Sequence, residues 1–379
     1  MKEFPSPRES VLSLFKNMAR MFDGEAFPHV DALYQFVFTD IENGFPVHIR
    51  FAKGSAEYGE GLNERPSVVI TTTSDVWLDI AGRFRSPGWA LLTRKVRVKG
   101  DMRLLRLLPR LLTRTIKLPR PQRAPGSKDR PFKALVFIGN PRKKNGLTGF
   151  FLSPFVEGMK KAGAEVEEVH LYDKKINHCL GCFACWTRTP GVCVHKDDQK
   201  ELLEKMEGAG LIVYAIPLYY HGMPGLVKDH FDRQLPRVYP YVERVNGLTS
   251  HPRRTAAQQN FALFSICGFP ELKQFDPLVR TFEAYTRHDD TKLCAKVLIP
   301  SAMQLYYNPT RRSVLLKTFE LLRTAGEQVV RQGSVPGKIL KQIAKVHHPE
   351  DWIKGANLYW HYEIEENRGA SPGEHASNV

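Results

Sequence analysis

The stretch Lys133–Thr148, KALVFIGNPRKKNGLT, decides how the larger part of the chain folds. Ala134, Leu135, Val136, Phe137 and Ile138 form an almost unbroken apolar run, the pattern of a strand covered on both faces. Gly139 and Pro141 end it, and Arg142 and Asn145 bring polar groups to the turn. From Gly146 onward the spacing of Leu147, Phe151, Phe155 and Met159 is helical. The first amides of such a helix are unpaired and its dipole favours negative charge, so the turn suits an anion. An ordinary strand-to-helix turn reads the same way, and the residues match neither the Walker loop nor GxGxxG.

Strands and helices alternate after this point. Apolar strands are expected at 133–139, 165–171, 210–217, 260–267 and 293–300, with helices near 147–162, 198–208, 224–235 and 273–287. Five strands separated by helices predict a doubly wound parallel sheet. Ligands of such sheets sit beyond the C-terminal strand ends. That places Asn140–Thr148, Pro217–Pro224 and Cys267–Glu271 around one site. A helical extension follows: Leu315, Phe319, Leu322 and Val329 line a helix ending near Gly333, and a second helix covers about 336–345. Asp351–Tyr362 carries Trp352, Tyr359 and Trp360, which suit either self-association or docking on the parent domain. The tail from 368 to 379 is expected to be disordered.

The chain before residue 118 reads differently. Val11, Leu12, Phe15, Met18 and Phe22 keep helical spacing, and alternating residues predict strands through 34–38, 47–51, 55–61, 67–73 and 95–99. Short helices are expected at 75–82 and 88–92, giving a helix, an antiparallel sheet and small helices in an α+β domain. Met102–Lys117 alternates leucines with Arg103, Arg106, Arg110 and Arg114, and Pro109 predicts a kink between two short helices. That basic face suits a membrane surface or an acidic partner, or is a solvated face over the core. Residues 118–131, LPRPQRAPGSKDRP, read as a linker.

Length and composition bound the rest. The chain has 379 residues, room for two or three domains, and 55 Lys and Arg against 40 Asp and Glu, a net charge of +15. That charge suits anionic cofactors or an acidic membrane, while no nucleic-acid-binding motif is present, so no nucleic acid is expected. The N-terminus lacks the apolar core of a signal peptide, and no apolar run reaches membrane length, so a soluble, cytoplasmic protein is expected. Four of the six cysteines crowd into Cys179–Cys193 as C-x2-C-x2-C-x7-C, which in an intracellular enzyme points to metal or redox chemistry before disulfides.

Two resemblances organise these observations. The segment SVVITTTSDVWLDIAGRFRSPGWALLTRKVRVKGDMRLL, from Ser67, resembles the sterol carrier protein (SCP2-like) family over residues 15–115. The likeness implies an α+β domain that binds a sterol, acyl chain or other lipid; a lipid-free domain with a packed core is the alternative. GNPRKKNGLT resembles the phosphate loop of the flavodoxin-like NAD(P)H-dependent flavin reductases. CLGCFACWTRTPGVCVHKDD resembles the cysteine segment of their iron–sulfur flavoprotein branch, and PLYYHGMPGLVKDHFDR and CGFPE resemble its flavin loops. The second likeness covers residues 132–365.

It implies FMN, with NAD(P)H as co-substrate. The phosphate would lie on Asn140, Arg142, Asn145 and Thr148, where Asn140 replaces the usual Ser and Leu147 the usual Asn. The isoalloxazine would lie on Pro217, Leu218, Tyr219, Tyr220, Gly222 and Met223, with Cys267, Gly268 and Phe269 opposite. No catalytic residue is certain; Tyr220 and His221 are the candidates, although His221 also reads as a plain loop residue. Lys228 and Arg233 read as solvated residues or as ion-pair partners of Asp229 and Asp232. Cys179, Cys182, Cys185 and Cys193 are ligands of a 4Fe-4S cluster, of zinc, or plain thiols near the flavin at a subunit contact.

The expected division is 1–117 lipid-binding, 118–131 linker, 132–305 flavodoxin-like, 306–367 helical extension and 368–379 tail. The expected activity is NAD(P)H oxidation through FMN, with electrons passed to a quinone or other lipophilic small-molecule acceptor, in a homo-oligomer. An electron carrier between proteins and a lipid-binding protein with a structural second domain are the alternatives.

Overall fold

The computed structural model describes residues 4–42, 44–119, 132–143, 146–255, 258–287, 291–345 and 349–368. The chain divides into two units, Met1–Leu118 and Pro119–Val379. Most of the expected linker and all but the first residue of the expected tail lie outside the described residues.

In the first unit a helix, α1 (Pro7–Met21), is started by a capping box between Ser6 and Glu9. Strands β1 (Ala32–Phe38), β2 (Phe45–Ala52), β3 (Ser55–Glu60) and β4 (Val68–Thr72) follow, then α2 (Ser74–Ala81), α3 (Pro87–Leu92), β5 (Arg97–Gly100) and α4 (Met102–Leu111). The strand order is β3-β2-β1-β4-β5. The sheet is mixed rather than antiparallel, because β1 pairs parallel with β4. The long connection through β2 and β3 lets β4 return in the same direction as β1. The inward residues of β1 meet α1 and α2 in an aromatic core: Phe15 lies 4.8 Å from Phe36, and Trp77 4.7 Å from Phe36.

Helix α4 is continuous through Pro109 and ends two residues later, so the expected kink and second helix are absent from the described residues. Pro109 falls in the last turn, where its missing amide costs a single bond. Leu108 and Leu111 are buried while Arg103, Arg106 and Arg110 are exposed. The arginines form the solvated face over a core.

The second unit contains β6 (Lys133–Ile138), α5 (Leu147–Lys161), β7 (Glu165–His170), α6 (Ala184–Thr187), α7 (Gln199–Glu207), β8 (Leu211–Pro217) and α8 (Gly225–Asp232). A small hairpin, β9 (Glu243–Val245) and β10 (Leu248–Ser250), precedes β11 (Gln259–Ile266), α9 (Asp276–Tyr285) and β12 (Thr291–Ile299). The chain closes with α10 (Ala302–Tyr307), α11 (Arg312–Gln332), α12 (Gly337–Ile343) and α13 (Pro349–Glu366). The five-stranded sheet is parallel in the order β12-β11-β8-β6-β7. Counted along the chain this is 2-1-3-4-5, the flavodoxin-like order, whose switch point lies between β6 and β8.

Alternate residues of these strands face opposite helical layers. Val136, Val213 and Phe264 pack with α5 and α11, while Phe137, Tyr214 and Leu263 pack with α7, α8 and α9. Helix α11 reaches the core through α5, and the two backbones touch. A Cβ on Gly158 would stand 2.0 Å from the Arg323 carbonyl oxygen, and one on Gly326 2.0 Å from that of Phe155. Only glycine permits this crossing. Gly326→Ala should therefore destabilise the protein by about 2 kcal/mol, the usual cost of overpacking. Thermal unfolding should show a loss of about 5 °C in Tm, and an unchanged Tm would mean that the helices separate freely.

Candidate functional site

Three loops leave the C-terminal ends of adjacent strands, and each is fixed by a backbone bond to its neighbour. Gly139 N donates to Ala215 O at 2.9 Å, Leu218 N to Ile266 O at 2.9 Å, and Cys267 N to Ile299 O at 2.9 Å. These bonds continue the ladder past the strand ends and hold the loops after β6, β8 and β11 side by side.

The loop after β6 is tightened by Asn140. Its buried side chain accepts from Arg142 N at 3.1 Å and donates to Lys143 O at 2.9 Å, so the amide closes the turn on itself. The Asn140 side chain thus supports the loop's shape. Gly146 is needed here, since a Cβ would lie 1.8 Å from Asn140 Nδ2. As N-cap of α5, Gly146 brings no side-chain oxygen to the first amides. Those amides and the dipole remain available to an anion. Arg142 is exposed beside them, Thr148 is buried in the first turn, and Asn145 lies outside the described residues.

The loop after β8 is a two-residue hairpin. Tyr219 N donates to Gly222 O at 3.0 Å and Gly222 N to Tyr219 O at 2.9 Å. Between them Tyr220 and His221 both have positive φ, 46° and 65°. This is the primed-turn conformation that Asn-Gly adopts cheaply and that two bulky residues adopt under strain. The strain holds both candidate rings at the tip, where Tyr220 is fully exposed. Pro217 is buried at the strand end, and Leu218, Gly222 and Met223 are half-buried around it.

The loop after β11 bends where Phe269 N donates to Cys267 Sγ at 3.2 Å. Burial pushes the Cys267 thiol up, so it is not a thiolate nucleophile. Nothing lies within 4 Å of where a Gly268 Cβ would stand, and Phe269 is half exposed. The structure thus brings together the three expected loops, with open space beside Gly268. Of the two readings of the C-terminal aromatic residues, docking on the parent domain is the one the structure shows, although the loop they meet was not legible in the sequence. Trp352 packs edge-on to Phe269 at 5.7 Å, and its spacing from Tyr359 is the signal for the helix face that docks.

The four clustered cysteines lie between β7 and α7, with Cys185 inside the short α6 and the others on the loops around it. Cys179 and Cys182 are exposed, Cys193 is intermediate and Cys185 is buried. Burial and then the neighbouring Cys193, Cys182 and Cys179 push the Cys185 thiol up. All four line one cavity of about 20 Å³, room for a single water. Among the described residues no group of three or more His, Cys, Asp and Glu is arranged to hold a metal ion. A cubane does not fit the thiols as they stand.

Arg233 lies beneath them, which corrects the expectation of a solvated residue. Its side chain is 1% exposed, pairs with the fully buried carboxylate of Asp197, and donates to Cys193 Sγ at 3.4 Å and Asn177 O at 3.2 Å. Burial would raise the Asp197 carboxyl, but hydrogen bonds from Arg233 and Asn177 hold it well below the usual carboxylate range. Lys228 does form the expected surface pair with Asp232, at 2.5 Å.

Two families match the chain. The SCP-2 sterol transfer family matches residues 23–113, and the NADPH-dependent FMN reductase family matches residues 132–266. An iron-sulfur flavoprotein of Archaeoglobus fulgidus is 43% identical over 101 residues, 27% of this chain and 48% of the relative. One of Methanocaldococcus jannaschii is 33% identical over 104 residues, 27% of this chain and 52% of that protein. The chain thus spans about half the length of the curated relatives it matches. Among solved structures, an FMN-dependent NADH-azoreductase of Bacillus anthracis is 15% identical, covering 53% of this chain and 100% of that one, with a TM-score of 0.39. The chain joins an SCP-2 sterol transfer family domain at residues 23–113 to an NADPH-dependent FMN reductase family domain at residues 132–266.

Proposed function

We propose that the second unit is an FMN-dependent NAD(P)H oxidoreductase that passes electrons to a quinone or other lipophilic acceptor. The observation that carries this is the clustering of the loops after β6, β8 and β11 at the switch point, with uncapped α5 amides beside Arg142. Arg142 and the first turn of α5, including Thr148, would hold the FMN phosphate, with Asn140 shaping the turn. Asn145, in the same loop, belongs to this set by sequence. Pro217–Met223 and Cys267–Phe269 would hold the isoalloxazine, which supplies hydride and electron transfer. The chain's own residues orient the ring, and the hairpin tip of Tyr220 and His221 covers it.

The first unit would bind an apolar ligand, a reading that rests on the family of residues 23–113. Among the described residues no helix is long and apolar enough to cross a membrane. A second reading, an electron carrier with a cluster on Cys179, Cys182, Cys185 and Cys193, is favoured by the relatives' names. It requires the cysteine loop to open around the cubane. The domain limits at 117, 131, 305 and 367 and a homo-oligomeric state belong to the same proposal.

The deciding experiment is an anaerobic absorption spectrum of protein purified without added cofactor, with iron and sulfide assayed on the same sample. Flavin without iron supports the oxidoreductase with plain thiols. Flavin with matching iron and sulfide supports the carrier. No chromophore, even after reconstitution with FMN, refutes both and leaves lipid binding as the main role.

Arg142→Ala should weaken FMN binding about tenfold, the loss of one charge-assisted contact of about 1.4 kcal/mol; flavin fluorescence titration reads this, and unchanged retention refutes the phosphate loop. Replacing Tyr220-His221 by Asn-Gly should relieve the strained turn and stabilise the protein by about 1 kcal/mol while lowering NAD(P)H oxidation. A rise in Tm with unchanged turnover would remove the tip from the catalytic site.

A further inference from the structure

Helix α13 presents a face with a gap in its middle. Trp352, Gly355, Ala356, Tyr359 and Trp360 recur at spacings of three and four and so share one side. Large rings stand at both ends and the smallest residues between them. Facing this side are Gly268 and Phe269 from the loop after β11, and Tyr307 at the end of α10. The space they enclose is about 400 Å³.

Two glycines border this space for a reason that packing does not supply. Nothing lies within 4 Å of a Cβ built on Gly355 or on Gly268, whereas Gly158 and Gly326 are forced by touching backbones. A glycine inside a helix costs about 1 kcal/mol relative to alanine, so Gly355 weakens α13 without relieving any clash. What it leaves is room. The rings around that room are left half wet: Tyr307 is 58% exposed, Trp360 55% and Phe269 50%. A folded core would have filled such a gap with a larger side chain.

The lining also states what would fill it. None of the residues around the cavity carries a charge, although the chain as a whole is strongly basic. A phosphate-bearing dinucleotide finds no cation there. The polar groups free to donate are the neutral amides of Gln304 and Asn308 and the phenol of Tyr307, donors suited to a carbonyl oxygen. Flat aromatic walls favour stacking on a flat ring, and the volume has room for a molecule of two or three fused rings.

The mouth adjoins the site described above. Gly268 and Phe269 belong to the loop after β11, so the ring loop borders the cavity.

We propose that the cavity between α13, α10 and the loop after β11 binds a neutral quinone of two or three fused rings. The quinone ring lies against the aromatic walls of α13, with its carbonyls on the amides and the Tyr307 phenol. As an electron-accepting site this rests on the oxidoreductase reading; as a binding site it stands alone. The overall reaction is quinone plus NAD(P)H plus a proton giving hydroquinone plus NAD(P)⁺. Two electrons leave the nicotinamide, and two protons reach the quinone oxygens, one carried by the hydride equivalent and one from water.

The test is titration of the full chain with 2-methyl-1,4-naphthoquinone, followed by quenching of tryptophan fluorescence and by calorimetry, with bound flavin measured on the same samples. The wild type should bind, and Gly355→Trp, which fills the gap, should raise Kd at least tenfold. Ala356→Leu is the second variant, kept in case the first disturbs α13; circular dichroism reports on both. Failure of the wild type to bind, or equal binding by folded variants, overturns the proposal. Protein that binds the naphthoquinone but no FMN would refute the oxidoreductase reading and leave the cavity assignment intact.

Discussion

The pair between Arg233 and Asp197 is the constraint on which the second unit's loops depend. Both side chains are out of water, and each guanidinium nitrogen that faces the pair has a second partner, the Asn177 carbonyl or the Cys193 sulfur. An isolated buried charge of either sign would be strongly destabilising, so the two charges have to stay paired, while Arg233 Nε itself is buried without a hydrogen-bond partner. Keeping the pair ties the end of α8 to both ends of the cysteine segment. The hairpin of Tyr220 and His221 opens α8 from its other end. A rigid helix therefore stands between the strained tip and the thiols, and the placement of one bears on the other.

The same economy governs the loop after β6. Asn140 spends its side chain on the turn itself, and in doing so excludes any residue but glycine at 146. That glycine leaves α5 without a side-chain cap. The open helix start is thus a consequence of how the turn is built. An anion completes what the turn leaves unsatisfied. Stability given up at the cap is recovered only with the ligand in place.

Much of this was legible in the residues. Four of the five parallel strands are apolar runs bounded by Gly and Pro; the expected apolar strand at 165–171 is instead the charged, mostly exposed edge strand β7, EVEEVH. The number of strands and their alternation with helices point to a doubly wound sheet. The three loops followed from the rule that ligands sit at the C-terminal strand ends. What was not legible depends on distant partners. Arg233 sits in KDHFDR among charged neighbours and reads as a surface residue, because its true partner is 36 positions away. His230, two helix positions from Asp232, is buried between Tyr214 and Gln199, and burial with Arg237 and Arg233 lowers its pKa to about 3. The parallel pairing of β1 with β4 was missed because alternation marks a strand without giving its direction. Pro109 was read as a break because the pattern does not say where a helix ends. The aromatic residues of α13 were seen, but the gap at Gly355 has meaning only once the opposing loop is in place.

The backbone contact between α5 and α11 bears on how the protein is made. The first unit closes its sheet within residues 1–118, so it can fold while later residues are still on the ribosome. The second unit is different. Its helix α5 emerges early, yet the glycine that meets it is residue 326. Until then one apolar flank of α5 waits uncovered. Synthesis at about 5–20 residues per second sets that wait at roughly 10–30 seconds. During that interval the finished first unit is attached to an unfinished second one, and a chaperone has a defined surface to protect.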